Sequence, residues 1–382
     1  MRILFVNTKF GFYGGVEKLL FKIAGQLRQN GHTIYGLFEQ PPSDLFDFDT
    51  VFDKSYFYNG HSRAQLDELF GEFDIVFVHK ATNPDLLEML GKDHPVVVLV
   101  HDHDYYCLRR HKYYLWKRKN CHQPFDSQQC SICSMLLEKQ EGPIPVKIID
   151  VKRKTALFNQ IRKAQAFIVL SDFMRDNLIA NNFKPEKIHK IYPIIELPES
   201  IPEYHPDKPA RLLYVGQMIR GKGVDLLIQA VSAIDAPYQL TLVGKGNEEE
   251  NIKHLIRMYG IEDKTRFAGW VPDVESYYRE ADIVLVPSRW LEPFGMIGTE
   301  AYSRGKPVIA FNVGGISEWL RHGVTGLLAP EQNIDVFARH ISTLIADPEQ
   351  ARQLGHNGFE MVKEHYSGDQ FIEQFNDVLL SC

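Results

Sequence analysis

No apolar run in the chain approaches the roughly 20 residues a membrane-spanning helix needs. The opening Met1-Arg2-Ile3-Leu4-Phe5-Val6-Asn7 turns polar after a few residues. That falls short of the roughly 7–15 apolar residues of a secretory signal. Both absences predict a cytoplasmic protein. Cysteine is scarce: there are five in 382 residues, four of them between positions 107 and 133, so disulfides do not staple the chain throughout. No repeat period suggests a solenoid. A dominant charge is also missing. Lys and Arg number 43 against 49 Asp and Glu, a formal net charge of −6, which excludes a generic polyanion binder. Gly11-x-x-Gly14-Gly15 does not match Gly-x-Gly-x-x-Gly, which argues against a simple NAD dehydrogenase.

What is present is globular. Hydrophobic residues make up 44% and charged residues 24%, so each of two or three domains can bury a core. The charge is unevenly placed: thirteen Lys/Arg meet six Asp/Glu between His101 and Lys163, a local +7 that leaves −13 elsewhere. Short apolar runs at Arg2–Thr8, Asp74–His79, Pro95–His101 and Ala166–Ser171 read as buried strands with helical patterns between them. The first run leads through Gly11, Gly14 and Gly15 into Val16, Leu19, Leu20, Ile23, Ala24 and Leu27 at helical spacing. The segment 191–209 holds Pro193, Pro198, Pro202, Pro206 and Pro209 without an amphipathic period and reads as an interdomain linker. A second series follows, with strands at Arg211–Gly216, Tyr238–Gly244, Asp282–Pro287 and Pro307–Asn312. Its helices are expected at Val224–Ile234, Glu248–Gly260, Phe294–Gly305 and Asn333–Ala346. This alternation predicts two α/β domains of Rossmann type with parallel sheets.

The most specific motif is Glu292-Pro293-Phe294-Gly295-Met296-Ile297-Gly298-Thr299-Glu300, which follows a buried strand and opens a helix. Eight residues is a little over two turns, so Glu300 can share a face with the loop that carries Glu292. Amides around Phe294, Gly295 and Met296 would form a helix N-terminus suited to phosphate, and carboxylates accept hydrogen bonds from sugar hydroxyls. A diphosphate flanked by polyols, as in a nucleotide sugar, fits that set. The bland alternative is a pair of solvated helix glutamates. His101 ends the run Val96–Val100, at the strand terminus where parallel sheets bind ligands; the alternative is a structural histidine. His79 ends another strand, which would place it on an acceptor side, and His103 and Asp104 follow His101 as further candidates.

In collinear order the chain also shows Val215-Gly216-Gln217 with Gly221-Lys222-Gly223-Val224-Asp225, then Val243-Gly244-Lys245-Gly246, Phe267-Ala268-Gly269-Trp270-Val271 and Asn312-Val313-Gly314-Gly315-Ile316-Ser317-Glu318. Val169-Leu170-Ser171-Asp172-Phe173-Met174 precedes the linker. Together with Glu-x7-Glu, the chain resembles the retaining glycosyltransferases of family four (glycosyl transferases group 1). The resemblance implies a GT-B fold: two Rossmann-like domains facing a central cleft. Its divisions are an acceptor domain at 1–190, with a cysteine-bearing basic insertion at 103–145, then the linker at 191–209. A donor domain at 210–365 follows, and a helix at 366–382 crosses back.

It also implies roles. Lys222 would contact the donor diphosphate and stabilise the leaving group. Glu292 would hold the transferred sugar and Glu300 the ribose. Phe294, Gly295 and Met296 would supply amides, and Trp270 would pack near the base beside Gly244. Gly14 and Gly15 would let the backbone approach the diphosphate, and His101 would reach the sugar. Catalysis is thus expected of His101, Lys222 and Glu292. Gln217 stands where the family often has arginine, with Arg220 nearby as a compensating cation. The implied donor is a UDP- or GDP-sugar and the acceptor a glycan or lipid-linked hydroxyl in bacterial cell-envelope polysaccharide biosynthesis. No catalytic cofactor or metal and no nucleic acid is expected. The competing readings are a nucleotide-sugar 2-epimerase on the same fold and a non-catalytic scaffold.

The insertion carries Cys107, Cys121, Cys130 and Cys133, the last two as Cys-x2-Cys, a spacing that places two thiolates on one metal. Structural zinc competes with free thiols, disulfides and an iron–sulfur cluster, and His111 or His122 could replace a cysteine. The run Arg109–Lys119 interleaves basic and aromatic residues, among them Trp116. It suits an anionic amphipathic partner, including peripheral contact with the inner face of a membrane. The alternative is a solvated loop.

Overall fold

The computed structural model describes residues 1–12, 14–40, 48–58, 73–114, 119–139, 146–198, 200–201 and 209–382. The chain divides into two compact units, Met1–Ile194 with Gly368–Cys382, and Ile195–Ser367.

The first unit is built from β1 (Arg2–Asn7), α1 (Gly15–Gln29), β2 (Thr33–Phe38), β3 (Lys54–Phe57), β4 (Ile75–Val78), α2 (Pro84–Asp93) and β5 (Val96–Leu99). An insertion follows: β6 (Tyr113–Tyr114), β7 (Lys119–Asn120), α3 (Ser127–Ser134), β8 (Leu137–Lys139) and β9 (Val146–Ile148). The unit resumes with α4 (Val151–Ile161), β10 (Ala166–Val169), α5 (Asp172–Ala180) and β11 (Ile188–Lys190). The main sheet is parallel, in the order β11-β10-β5-β4-β1-β2-β3. All four residues of β4, β5 and β10 are buried, as expected for a parallel sheet covered on both faces. Helix α1 buries Leu19, Leu20, Ile23, Ala24 and Leu27 at helical spacing. Asn83 caps α2 by accepting from the amides of Asp85 and Leu86, with Pro84 opening the helix.

From β1 the chain runs outward to β2 and β3, then returns to β4 on the other side. The crevice at the C-terminal ends of β1 and β4 is therefore a topological switch point, where open α/β sheets bind ligands. The last helix, α12 (Gly368–Leu380), groups with this unit, and its Phe375 ring lies 4.8 Å from Phe77 of β4.

The second unit contains β12 (Ala210–Val215), α6 (Val224–Ser232), β13 (Tyr238–Val243), α7 (Glu249–Tyr259), β14 (Thr265–Gly269), α8 (Glu275–Glu280) and β15 (Ile283–Val286). Then come α9 (Met296–Tyr302), β16 (Val308–Phe311), β17 (Gly326–Ala329), α10 (Ile334–Ala346) and α11 (Pro348–His365). Its parallel sheet runs β14-β13-β12-β15-β16-β17, so its switch point lies between β12 and β15. At the opposite strand ends, buried Asp282 accepts from Arg211 N at 2.7 Å and Nη2 at 2.9 Å, tying β12 to β15.

The division between the two units falls between Ile194 and Ile195, inside the segment read as an interdomain linker. The start of that segment is packed: Ile191, Ile194 and Ile195 are buried, and Ile191 N donates to Val169 O at 3.0 Å. Residues 199 and 202–208 lie outside the described residues. The helix expected from Phe294 starts at Met296, because Gly295 takes a left-handed conformation (φ 90°) and breaks the backbone path ahead of it.

Candidate functional site

The second unit's switch point brings together two loops. After β12, Gln217–Gly223 turns through a short helical turn at Arg220–Lys222; after β15 comes Ser288–Gly295. A left-handed Gly223 (φ 67°) packs so close that a Cβ there would lie 2.0 Å from Pro287 O. Buried Arg289 clamps the loops, donating to Asp225 Oδ2 at 2.7 Å and Arg220 O at 3.1 Å. Trp290 lies over Gly221, where a Cβ would come within 2.3 Å of its ring.

Inside this frame Glu292 is 5% exposed. Its Oε1 accepts from Lys222 Nζ at 2.7 Å, Ser288 Oγ at 2.5 Å and Trp290 Nε1 at 2.9 Å. Burial opposes the carboxylate charge, but the Lys222 ammonium and these three donors outweigh it and hold the carboxyl below its usual range. Lys222 also lies over the Trp290 ring at 5.1 Å. The backbone of Glu292 is fixed by Gly315 N, which donates to Glu292 O at 2.7 Å. Eight residues on, Glu300 Oε2 accepts from Tyr278 OH at 3.0 Å.

The structure therefore gathers Lys222 and Glu292 into one cluster and places Glu300 on α9 behind the same loop. Phe294 is buried, and its carbonyl accepts from Trp319 Nε1 at 2.6 Å. Gly295 and Met296 open α9 with no side-chain cap on its amides. Gln217 and Arg220 are exposed, and Trp270 is 56% exposed. Gly244 has a packing reason of its own: at φ 127°, a Cβ would stand 1.9 Å from Gly216 O. Ser288, Trp290, Arg289 and Tyr278 were not singled out in the sequence. The signal was Ser-Arg-Trp immediately after an apolar strand, where a polar run marks a strand's ligand end.

In the first unit, His79 Nδ1 and His101 Nε2 lie 3.0 Å apart. Burial keeps both rings neutral, moving His101 down to about 3 with help from the Lys80 charge. His79 is buried against Phe5, stacked at 5.1 Å, so it does not line a surface, contrary to the expected acceptor role. Its Nε2 has no partner among the described residues. An unpaired buried lone pair is cheaper than an unpaired buried N–H. That assigns the His79 proton to Nδ1, donating to His101, and leaves the His101 proton on Nδ1. Lys80 pairs with Asp102 at 2.8 Å and Asp104 at 2.7 Å, and together the two carboxylates outweigh its burial and raise its pKa. His103 is buried with Nδ1 2.9 Å from Tyr106 OH, a structural position.

Gly14 and Gly15 open α1 at this switch point. Gly14 is extended (φ −174°), and among the described residues a Cβ on Gly15 would meet nothing within 4 Å. Nearby, Asn7 Oδ1 and Thr8 Oγ1 are buried without partners among the described residues, and burial raises the carboxyl of Glu17.

Residues 199–361 match the family described as glycosyl transferases group 1. The chain is 31% identical over 172 residues to an uncharacterized glycosyltransferase of Haemophilus influenzae, covering 44% of this chain and 48% of that protein. It is 28% identical over 170 residues to the lipopolysaccharide core biosynthesis glycosyltransferase LpsE of Rhizobium meliloti, covering 44% and 49%. The chain thus spans about half the length of the curated relatives it matches. Over its whole length it shares the fold of Anabaena HepE, solved in complex with UDP, at a TM-score of 0.76 and 19% identity, covering 100% of both chains. The architecture is GT-B, two Rossmann-like α/β domains. In the unit that holds the match, the Lys222–Glu292 cluster occupies the switch point.

Proposed function

We propose that the chain is a retaining glycosyltransferase, moving a sugar from a UDP- or GDP-sugar to a hydroxyl of a glycan or lipid-linked acceptor. The observation that carries this reading is the buried Glu292 carboxylate, fixed by Lys222, Ser288 and Trp290 at the switch point of a group 1 domain. Related support comes from HepE, whose structures contain UDP and UDP-glucose.

Lys222 carries a charge that can shift from Glu292 to a diphosphate, stabilising negative charge as the leaving group departs. Glu292 accepts hydrogen bonds from the transferred sugar and Glu300 from the ribose, while exposed Trp270 offers a face to the base. Arg220 supplies the cation that Gln217 does not. In the first unit, His101 offers a neutral N–H donor to the sugar. The acceptor hydroxyl loses its proton to the departing phosphate oxygen as the new glycosidic bond forms on the same face. Cationic side chains and amides handle the diphosphate, so turnover is independent of divalent metal.

The acceptor is amphipathic in this reading. The insertion exposes Ile132 (80%) and Ile148 (78%) with Met135, Leu136 and Leu137, and it also carries the basic residues Arg109 and Arg110. Leu115–Arg118 lie outside the described residues. No helix among the described residues is long and apolar enough to cross a membrane, so contact would be peripheral.

A thermal-shift screen against UDP-, GDP-, ADP- and TDP-sugars tests donor binding. Product analysis follows, with and without acceptor. Conversion of donor alone into an epimer would replace this reading with the epimerase. Turnover abolished by EDTA and restored by Mg²⁺ or Mn²⁺ would refute metal independence.

A further inference from the structure

The insertion is poorly supplied with apolar core. Helix α3 buries only Ser134 among its eight residues, and the pairs β6–β7 and β8–β9 are two and three residues long. Its large apolar side chains Ile132, Met135, Leu136 and Leu137 are exposed. Arg110, Lys112, Met135 and Leu136 all adopt left-handed backbone conformations there. Such a segment requires a fixing device beyond hydrophobic burial.

Cys107, Cys121, Cys130 and Cys133 line a single cavity of about 50 Å³, roomy enough for one ion. They come from three separate pieces of chain: the turn after β5, the residue after β7, and α3. The backbone around them is aimed at sulfur. The amides of Arg109 and Lys112 bond to Cys107, and that of Asp126 to Cys130. Amide donors to sulfur are the outer-shell contacts that thiolate ligands of a metal use. The wall also supplies charge: four thiolates around a divalent ion leave two net negative charges, and Arg109 and Lys112 line the same cavity. Lys112 is buried and anchored, donating to Gln123 O and Asn177 Oδ1, both at 2.9 Å, which ties the cavity to α5. Neither His111 nor His122 lines it.

We propose that these four cysteines bind one structural Zn²⁺ as a tetrathiolate site that fixes the insertion. Among the described residues no group of three or more His, Cys, Asp and Glu side chains stands in coordinating position, and the proposed site requires the four thiols to close onto the ion as it binds. Tetrahedral Zn–S ligation needs about 2.3 Å, and cysteine side chains reach it by rotating about χ1 toward the shared cavity. The proton of each thiol is released as its sulfur ligates.

The test is metal analysis of the full-length chain purified under reducing conditions without chelators. One zinc per chain is expected. Less than half an equivalent, iron with acid-labile sulfide in place of zinc, or a disulfide among the four cysteines would overturn the proposal. Single substitutions Cys107→Ser, Cys121→Ser, Cys130→Ser and Cys133→Ser should each lose most of the metal, and Cys382→Ser none. A full equivalent kept by all four variants also overturns it. Should the variants fail to fold, the wild-type protein decides: exchange with Co²⁺ must give the intense visible bands of tetrahedral thiolate cobalt. Bands of octahedral cobalt reject the site.

Discussion

Replacing Lys222 by methionine removes a cation from a carboxylate whose side chain is 6% exposed, and leaves Glu292 with two neutral donors, Ser288 and Trp290. Breaking a buried pair in this way costs about 3–5 kcal/mol, and the 18% exposure of Lys222 places the expected loss near the lower figure, about 3 kcal/mol. Glu292→Gln is milder. The amide oxygen still accepts from Ser288 and Trp290, and the ammonium can turn to water, so about 1 kcal/mol is lost. The double variant strands no charge and should cost about 2 kcal/mol, giving a coupling of about 2 kcal/mol. Urea denaturation of the four proteins measures it. The pH response gives an independent check. In the wild type the Glu292 pKa is depressed, so its contribution is complete above the unfolded value of about 4.3 and is lost as pH falls through the folded value. Without Lys222 burial dominates and raises the carboxyl, so the destabilisation relative to wild type should shrink on acidification. Under the leaving-group role proposed for Lys222, losing about 3 kcal/mol of transition-state stabilisation would lower kcat roughly 100-fold. Additive single effects within about 0.5 kcal/mol, together with unchanged turnover in Lys222→Met, would refute the reasoning.

Other perturbations probe the frame. Gly298→Ala places a Cβ 1.9 Å from the fully buried Trp319 ring, which holds the Phe294 carbonyl; a loss of about 2–3 kcal/mol with weaker donor binding is expected from chemical denaturation and nucleotide titration. Arg289→Lys cannot span both Asp225 and Arg220 O, so donor KM should rise several-fold with kcat largely kept, measured by steady-state kinetics. His79 and His101 have depressed pKa values, so their contribution is complete above about 6.5 and is lost as pH falls below it, by up to about 1.4 kcal/mol per pH unit for each ring. Melting temperature between pH 7 and pH 5 should therefore fall more steeply in the wild type than in His79→Phe; equal slopes would contradict a neutral buried pair. Anionic vesicles should retain the protein at low salt and release it at high salt; no retention at low salt removes the membrane contact.

Much of the fold was legible because central parallel strands are continuous apolar runs. Ile3–Val6, Ile75–Val78, Val96–Leu99 and Ile283–Val286 are fully buried, and each was expected within a residue or two. Outer strands were missed. Thr265–Gly269 sits at a sheet edge, half-buried, with exposed Arg266 in its middle, so no apolar run announces it. Lys54–Phe57 and Ile188–Lys190 are edge strands too, short and mixed in polarity.

The site was legible in part for a different reason. Glu292 and Glu300 are separated by a fixed spacing that survives as a pattern, whereas the groups that give Glu292 its character come from distant sequence. Lys222 is 70 positions away, and the Gly315 amide that holds its carbonyl comes from the loop after β16. Spacing predicted that a carboxylate would be present; it could not predict that the carboxylate would be buried and held ionised by a lysine. In the proposed function, that coupling gives Lys222 two alternative anions, its own glutamate and an incoming diphosphate. If the diphosphate takes the ammonium, Glu292 keeps only Ser288 and Trp290, and its oxygens become stronger acceptors for sugar hydroxyls. Diphosphate and sugar would then bind cooperatively through one side-chain pair. UDP and free sugar should accordingly tighten each other's binding in the wild type and not in Glu292→Gln, as measured by titrating each ligand in the presence of the other. Equal affinities with and without the second ligand in the wild type would remove the exchange.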